Sequence, residues 1–435
     1  ESSCQEQWRE PVHGDVRLMA KVMKWGETVK VLLDVGFVTN AFTLDESLLD
    51  GTDVLNGSTD FVDITEYVTS VNINRGRATQ LDAFNAGNCS ITADDKAAGR
   101  RFDPLNTDSE WYQGSLGIAP KRQVQVYGGS AGTAAMFSGY LFDMNIDYAE
   151  PQLSSAAITA VDALAQISQT TLTGFTPSSE LTSARVNTIL SRSEVAWSTA
   201  LRSIATGQAT CGTVAYEDST NALAALQAVQ FAEDGRLFAD RSGRIQFDSR
   251  IASSFGTAVA TLGGTAVGAI PIQSLSNLYG AETVVNRASV QISGGTVSSI
   301  ANGTASQTEY GIKNFSLTDI PLATQAAGSA LAENLVGRFS EPVVKFNEAT
   351  VLVNMLTAAQ QEQIAALEIG DILSVTRVFT SGSPLTVTQN VVVESIQHRL
   401  SPARHEVNIG LGQIQLLSAF ILDTSQLDDA TVGLQ

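Results

Sequence analysis

The sequence is short of charge, and of positive charge above all. Charged residues make up only 16% of the 435 residues, and 26 lysines and arginines stand against 45 aspartates and glutamates, which gives a formal net charge of −19. A nucleic-acid reader normally presents a basic face that displaces counterions from phosphates, so we expect no specific nucleic-acid binding. Hydrophobic residues reach 43%, which excludes general disorder and favours a surface that is buried in an assembly.

Long apolar runs and a leader pattern are also missing. No segment approaches the roughly 18 uninterrupted apolar residues that a membrane helix needs. The first residues lack a basic stretch followed by an apolar one. We therefore expect neither a membrane span nor a Sec signal.

Cysteine is too scarce to build a framework. The three cysteines, Cys4, Cys89 and Cys211, are far apart, odd in number and without C-x-x-C spacing. A disulfide scaffold or a zinc knuckle needs closer and paired cysteines. The sequence predicts three free thiols, in keeping with a reducing cytosol.

Candidate catalytic groups are equally sparse. The histidines show no metal-ligand spacing, and we expect them at strand ends or on the surface: His13, His398 and His405. Residues 128–132 fit the G-x-S-x-G pattern of a nucleophile elbow, but a predicted strand follows where a helix is needed, which indicates a hairpin turn. The adjacent carboxylates at 94–95 and 428–429 would point to opposite sides of a strand and could not share a proton. We expect no enzyme activity, no cofactor and no metal.

The composition is typical of β-structure, with abundant Gly, Ser, Thr, Val and Ala and only 7% aromatics. Alternating apolar residues predict strands near both ends of the chain: 16–22 and 29–33 joined by a turn at 24–27, 62–65, 71–74, 123–127, 135–142, 284–292, 349–353, 371–376, 386–393 and 406–411. Helical spacing predicts helices from about 154 to 167, from 181 to 190 behind a Ser178/Ser179 cap, around 223–229, and over 323–339. Residues 236–247 read as a hairpin, with Gly243 in its turn.

These elements predict a mainly β fold with an α-containing middle, of the α+β class. We expect a β-rich N-terminal domain over 1–153, an α-rich segment over 154–235, a hairpin-containing middle domain over 236–320 and a β-rich C-terminal domain over 321–435.

Several short sequence motifs also occur in a fixed order between residues 62 and 412. They are Val62-Asp63-Ile64-Thr65, Arg75-Gly76-Arg77, Arg101-Phe102-Asp103-Pro104 ahead of 109–112, Asp162-Ala163-Leu164 opening a helix, the 235–247 hairpin, Tyr310-Gly311, 367–371 and 393–398. Together they resemble the minor tail or tail-hub proteins of siphophages, especially those of actinobacterial phages.

The resemblance implies two related β-barrel-like hub domains per chain, flanking the helical and hairpin segments. It also implies a homotrimer whose six barrels form a pseudo-hexameric ring. Such a ring would sit at the tail tip of the virion, after assembly in the host cytoplasm, and form part of the DNA exit path. Its expected partners are further copies of itself, the distal tail protein, the tape measure protein and other minor tail proteins.

Candidate contact residues follow from charge and aromaticity. Four arginines are expected to pair with carboxylates of a neighbouring subunit: Arg75, Arg77, Arg100 and Arg101. Trp111 and Tyr112 form an aromatic loop that either plugs its own barrel or contacts another subunit. The alternatives to a hub are a distal-tail ring protein and a carbohydrate-binding or wall-degrading tail module.

Overall fold

The computed structural model describes residues 29–36, 61–112, 117–149, 153–252, 256–280 and 283–414, with short pieces at 418–419 and 432–433. Cys4, His13, the turn predicted at 24–27 and the carboxylate pair at 428–429 lie outside these ranges.

The described chain is mainly β, as the sequence predicts, with its helices concentrated in the middle. The strands are β1 (Lys30–Asp34), β2 (Phe61–Asp63), β3 (Val68–Gly76), β4 (Asn85–Asp94), β5 (Gln123–Gly128), β6 (Ala134–Ala149), β7 (Leu153–Val161), β8 (Thr171–Leu172), β9 (Glu180–Leu181), β10 (Arg202–Ile204), β11 (Thr210–Cys211), β12 (Thr220–Asn221), β13 (Arg236–Ala239), β14 (Ile245–Asp248), β15 (Ala260–Gly263), β16 (Ser274–Leu278), β17 (Arg287–Ile292), β18 (Ser298–Asn302), β19 (Asn314–Ile320), β20 (Lys345–Leu352), β21 (Ile372–Val378), β22 (Thr386–Ser401), β23 (Arg404–Gln413), β24 (Ser418–Ala419) and β25 (Val432–Gly433). The helices are α1 (Ala163–Ser168), α2 (Thr182–Leu190), α3 (Ala222–Glu233), α4 (Thr304–Tyr310), α5 (Gln325–Phe339) and α6 (Ala358–Ala365).

Thirteen strands form one large sheet. Its order is β16, β20, β23, β22, β3, β4, β7, β6, β5, β1 and β2, with β21 also paired to β22 and β15 paired to β21. Within the described ranges this sheet closes into no barrel, because it ends at β2 on one side and at β16 on the other. The two-barrel arrangement therefore stays a prediction.

The large sheet joins two β domains through one long strand. The first half of β22 pairs with β21, its second half pairs with β3 from the N-terminal part of the chain, and β23 runs alongside most of it. Each domain has its own apolar core, one built on β1 to β7 and the other on β15, β16 and β20 to β23. We call the β3 to β22 ladder, residues 71–76 against 395–400, the seam.

The middle of the chain contributes two further layers. Helices α1, α2 and α3 pack with the β13–β14 hairpin around a third core, and Gly243 sits in the hairpin turn at φ +83°, as predicted. Helix α5 covers one face of the three-stranded sheet β18-β17-β19. Leu331, Leu335 and Phe339 lie on the buried side of α5, as its spacing predicts.

Some predicted elements are wrong. Residues 153–161 form a strand rather than the start of a helix, because Ala156, Ile158 and Ala160 alternate into the core between β4 and β6. The helix begins only at Ala163, where the Asp162 carboxylate accepts the Leu164 N–H at 2.9 Å. Helix α2 forms as predicted, but its Ser178/Ser179 cap does not, since Leu181 is the N-cap.

The predicted domain division stays a prediction, but strand pairing and packing cross two of its boundaries. Strands β15 and β16 belong to the C-terminal sheet, because they pair with β21 and β20. Helix α5 belongs to the inserted sheet 287–320, with which it shares a core. The C-terminal β domain is therefore assembled from 260–278 and 345–413, with the α5 unit inserted between its strands.

Candidate functional site

One side of the large sheet is polar across both β domains. Register and burial place mostly polar side chains on this side of seven neighbouring strands, while the alternate residues point into the cores. We call this surface the polar face. Its residues are Asp143, Asn145 and Asp147 (β6), Ser155, Ala157 and Thr159 (β7), Asn88, Ser90, Thr92 and Asp94 (β4), Ser70, Asn72 and Asn74 (β3), Gln397, Arg399 and Ser401 (β22), Arg404, Glu406 and Asn408 (β23), and Glu348 and Thr350 (β20).

The polar face is weakly acidic and has few cations. It carries five carboxylates (Asp94, Asp143, Asp147, Glu348 and Glu406) and two guanidinium groups (Arg399 and Arg404). Both of these arginines form ion pairs with Glu406, Arg399 at 3.7 Å. A surface of hydroxyl and amide groups with its cations already paired offers little attraction to a phosphate backbone.

Beneath the seam, on the opposite side of the sheet, lies a buried charged junction. The Glu394 carboxylate contacts the Arg77 Nε at 2.7 Å and the Arg236 guanidinium at 3.6 Å, and all three side chains are at least nine-tenths buried. Gln80 also donates to Glu394, at 3.1 Å. Burial pushes the pKa of Glu394 upward, but Arg77 and Arg236 outweigh it and hold the pKa below its usual value.

The junction joins three parts of the chain, since Arg77 follows β3, Arg236 begins the β13–β14 hairpin and Glu394 lies in a bulge of β22. Gly76 allows the close approach, because at its φ of +113° an added Cβ would lie 2.3 Å from the Glu394 carbonyl oxygen. This cluster fixes how the two β domains and the helical layer meet.

A second buried arginine lies beside this junction. Arg75 Nη1 donates to the Glu368 carboxylate at 2.7 Å, and the same carboxylate accepts the Arg241 backbone N–H at 2.8 Å. Arg75 and Arg77 thus have carboxylate partners in their own chain and little exposed surface, 3% and 8%. We assign both to the joining of segments within one subunit rather than to the predicted contact between subunits.

The remaining predicted contact residues lie together in the loop after β4. Arg100 contacts Asp103 through its Nε at 3.0 Å, and Arg101 donates to the Tyr67 hydroxyl at 2.7 Å. Trp111 is buried in the core of its own β domain, with its ring 5.1 Å from Phe102 in an edge contact. We call residues 98–112 the arginine loop.

The G-x-S-x-G segment is the predicted hairpin turn, between β5 and β6. Its role is to bridge the two β domains, which the sequence alone did not indicate. The Glu362 carboxylate on α6 accepts hydrogen bonds from the Ser130 hydroxyl at 3.0 Å and from the Ala131 N–H at 2.8 Å.

Two of the histidines, expected at strand ends or on the surface, are not on the surface, although His405 does lie at the start of β23. His398 and His405 are buried, 1% and 3% exposed, and their Nδ1 and Nε2 atoms lie 3.0 Å apart. They are only seven residues apart across the β22–β23 turn. The antiparallel register pairs His398 with Val407 and His405 with Leu400, which makes the two histidines diagonal neighbours on the same side of the sheet. Among the described residues, no group of three or more His, Cys, Asp or Glu side chains is arranged to hold a metal ion. Nor is any helix of this part of the chain long and apolar enough to cross a membrane.

Two of the three thiols are free and buried. Burial raises the pKa of Cys89 and raises that of Cys211 to about 12, so neither forms a thiolate at neutral pH. We expect alkylation without reductant to leave Cys89 and Cys211 unmodified in the folded chain and to modify all three cysteines after denaturation. Intact mass measures both states, and a pair that stays protected after denaturation would contradict the prediction.

Comparison with known proteins shows the fold. No family model matches the sequence, and no curated protein does so either. The tail protein from Neisseria meningitidis MC58 matches with a TM-score of 0.56 at 7% identity, over 88% of this chain and 96% of that one. The 43 kDa tail protein of prophage MuSo2 from Shewanella oneidensis matches with a TM-score of 0.50 at 11% identity, over 81% of this chain and 95% of that one. The chain has a fold found in phage tail proteins.

Proposed function

We propose that the chain is a structural protein of a phage tail tip. In this proposal it is a hub ring that joins the tail tube and distal tail ring to the central fibre or adhesion apparatus. The observation that carries the proposal is the likeness to the Neisseria tail protein, which extends over nearly the whole of both chains. Its partners would be further copies of itself, the distal tail protein, the tape measure protein and other minor tail proteins.

The two β domains support a ring of three copies. They share one continuous sheet and are locked together by the seam, the buried junction and the Ser130–Glu362 contact. Three such chains would supply six β domains at fixed angles. Among the described residues the sheet ends at β2 and β16, and assembly would cover these strand edges.

The polar face suits the wall of a DNA exit channel. DNA passing a basic wall would release counterions and bind, whereas DNA passing hydroxyls, amides and a carboxylate excess is not retained. In the proposed ring the polar face therefore lines the channel. The arginine loop, with its exposed Leu105 and partly exposed Arg100 and Arg101, is the proposed contact to a neighbouring subunit.

Mass measurement of the purified assembly tests the hub directly. We expect three copies per ring, with an interface above roughly 2,000 Å² in total, as permanent assemblies have. Six copies would favour a distal-tail ring protein. A stable monomer at micromolar concentration would contradict a ring altogether, and turnover of host cell wall by the purified chain would instead support a wall-degrading module.

A further inference from the structure

The core side of the seam is not apolar throughout. Most inward residues of β3, β22 and β23 are aliphatic. Three inward residues are not: Arg75 and His398 in the seam, and His405 on the neighbouring strand β23. Ile396 and Val407 belong to the core of the C-terminal β domain, and Leu400 belongs to the N-terminal one. The histidine pair therefore lies where the two cores meet.

At neutral pH the His398 ring is uncharged, because burial holds its pKa well below 6.5. One imidazole donates its proton to the unprotonated nitrogen of the other across the 3.0 Å contact, and the rings lie 5.3 Å apart between centroids. A proton added to the accepting nitrogen would leave both facing nitrogens with hydrogen, and the contact would become repulsive. A proton added to the outer nitrogen of the donating ring would keep the hydrogen bond but place a charge where the two cores meet. The added charge would also be buried, where it costs far more than in water.

The charges around the pair increase this cost. His405 comes from β23, beside the seam, and Arg75 comes from β3, within it. The Glu368 carboxylate that could offset a new positive charge is already bound to Arg75 at 2.7 Å. In the β13–β14 hairpin, the Ala239 carbonyl accepts from Arg75 Nη1 at 3.5 Å. The Asp240 carboxylate of the same hairpin forms an ion pair with Arg244. Burial, His405 and Arg75 all lower the pKa of His398, well below its usual value of 6.5.

We propose that the His398–His405 pair makes the seam acid-sensitive, so that proton uptake there opens the β3 to β22 ladder before either β domain unfolds. The pH dependence of stability follows from the lowered pKa of His398. A histidine whose pKa falls on folding contributes stability that is complete above its unfolded pKa, near 6.5, and is lost as the pH falls below that value. Mildly acidic conditions would thus change how the two β domains are joined while leaving their cores intact.

The test measures unfolding of the full chain by urea at pH values from 7.5 to 5.0. The unsubstituted chain is compared with a double variant, His398→Gln and His405→Gln, whose amides can hydrogen-bond but not titrate. Below pH 6.5 we expect the unfolding constant of the unsubstituted chain to rise relative to the variant by up to about tenfold per pH unit. His13→Gln, which removes the remaining histidine of the sequence, is the matched control and should behave as the unsubstituted chain. Parallel pH profiles for the unsubstituted chain and the double variant would overturn the proposal.

Hydrogen exchange locates the effect and does not depend on the double variant folding well. Between pH 7.5 and 5.5, after correction for intrinsic exchange, we expect the amides of residues 71–76 and 395–400 to lose protection first. The amides of the β5–β6 ladder, inside the N-terminal β domain, should keep theirs over the same range. Uniform loss over both ladders, or loss that begins away from the seam, would refute a local opening.

Discussion

Replacing Glu394 by alanine should lower the free energy of unfolding by about 3 to 5 kcal/mol, the usual cost of removing one partner from a buried ion pair. The carboxylate is 3% exposed and is shared by Arg77 and Arg236, so its loss leaves two buried guanidinium groups without their anion. The effect should exceed that of any exposed ion pair in the chain. Urea unfolding monitored by circular dichroism measures it.

Two variants control this prediction. Glu110→Ala removes a carboxylate that is 60% exposed and lies 3.2 Å from Arg101, and it should cost less than about 1 kcal/mol. Glu394→Gln keeps the shape and one acceptor, so its cost should be smaller than that of alanine. The pKa of Glu394 is lowered in the folded chain, so the stability difference between the unsubstituted chain and the Glu394→Gln variant should be complete above about pH 4.5 and shrink at lower pH. A loss below 1 kcal/mol for Glu394→Ala would contradict the role of the junction.

Placing lysines on the polar face should create DNA binding. The triple variant Asn74→Lys, Thr92→Lys and Asn145→Lys changes exposed positions on three strands, none directly opposite another, so stability should change little. If a ring of such chains neutralises about four phosphates, a fourfold rise in salt should weaken its binding to duplex DNA by about a hundredfold. In the proposed ring, the same variant should slow or block DNA release.

The matched control places glutamate at the same three positions. It has a similar reach and the opposite charge, so it should bind no DNA and should release the genome as the unsubstituted chain does. Fluorescence anisotropy with a short duplex, repeated at two salt concentrations, distinguishes the variants. Equal DNA release by the lysine and glutamate variants would show that the polar face does not meet the genome.

Local patterns predicted most of the architecture because burial on one side of a sheet imposes alternation. The strands at both ends, the β13–β14 hairpin and helix α5 all follow from such patterns. The 153–161 segment was predicted as helix because Ile158 and Val161 continue the three-residue spacing of Leu164 and Ile167 in α1. Its pairing with β4 and β6 makes it a strand. Helix α6 and strand β15 carry weak periodicity, and tertiary packing defines them.

The contacts that join the domains could not be predicted in the same way. Glu394 lies 317 residues from Arg77 along the chain, and Glu362 lies 232 residues from Ser130. The local sequence does not specify such distant partners. The prediction that Arg77 contacts another subunit therefore rested on its charge alone. The histidine pair is the exception, since its spacing across a β-turn is visible once β22 and β23 are paired.

A symmetric reconstruction of the assembled tail tip tests the central claim most directly. It would show how many copies surround the channel and which side chains line it. We predict three copies, with the polar face turned to the channel and carboxylates there outnumbering lysines and arginines. A channel lined by a basic excess, or a ring in which the polar face is buried against another protein, would contradict the account.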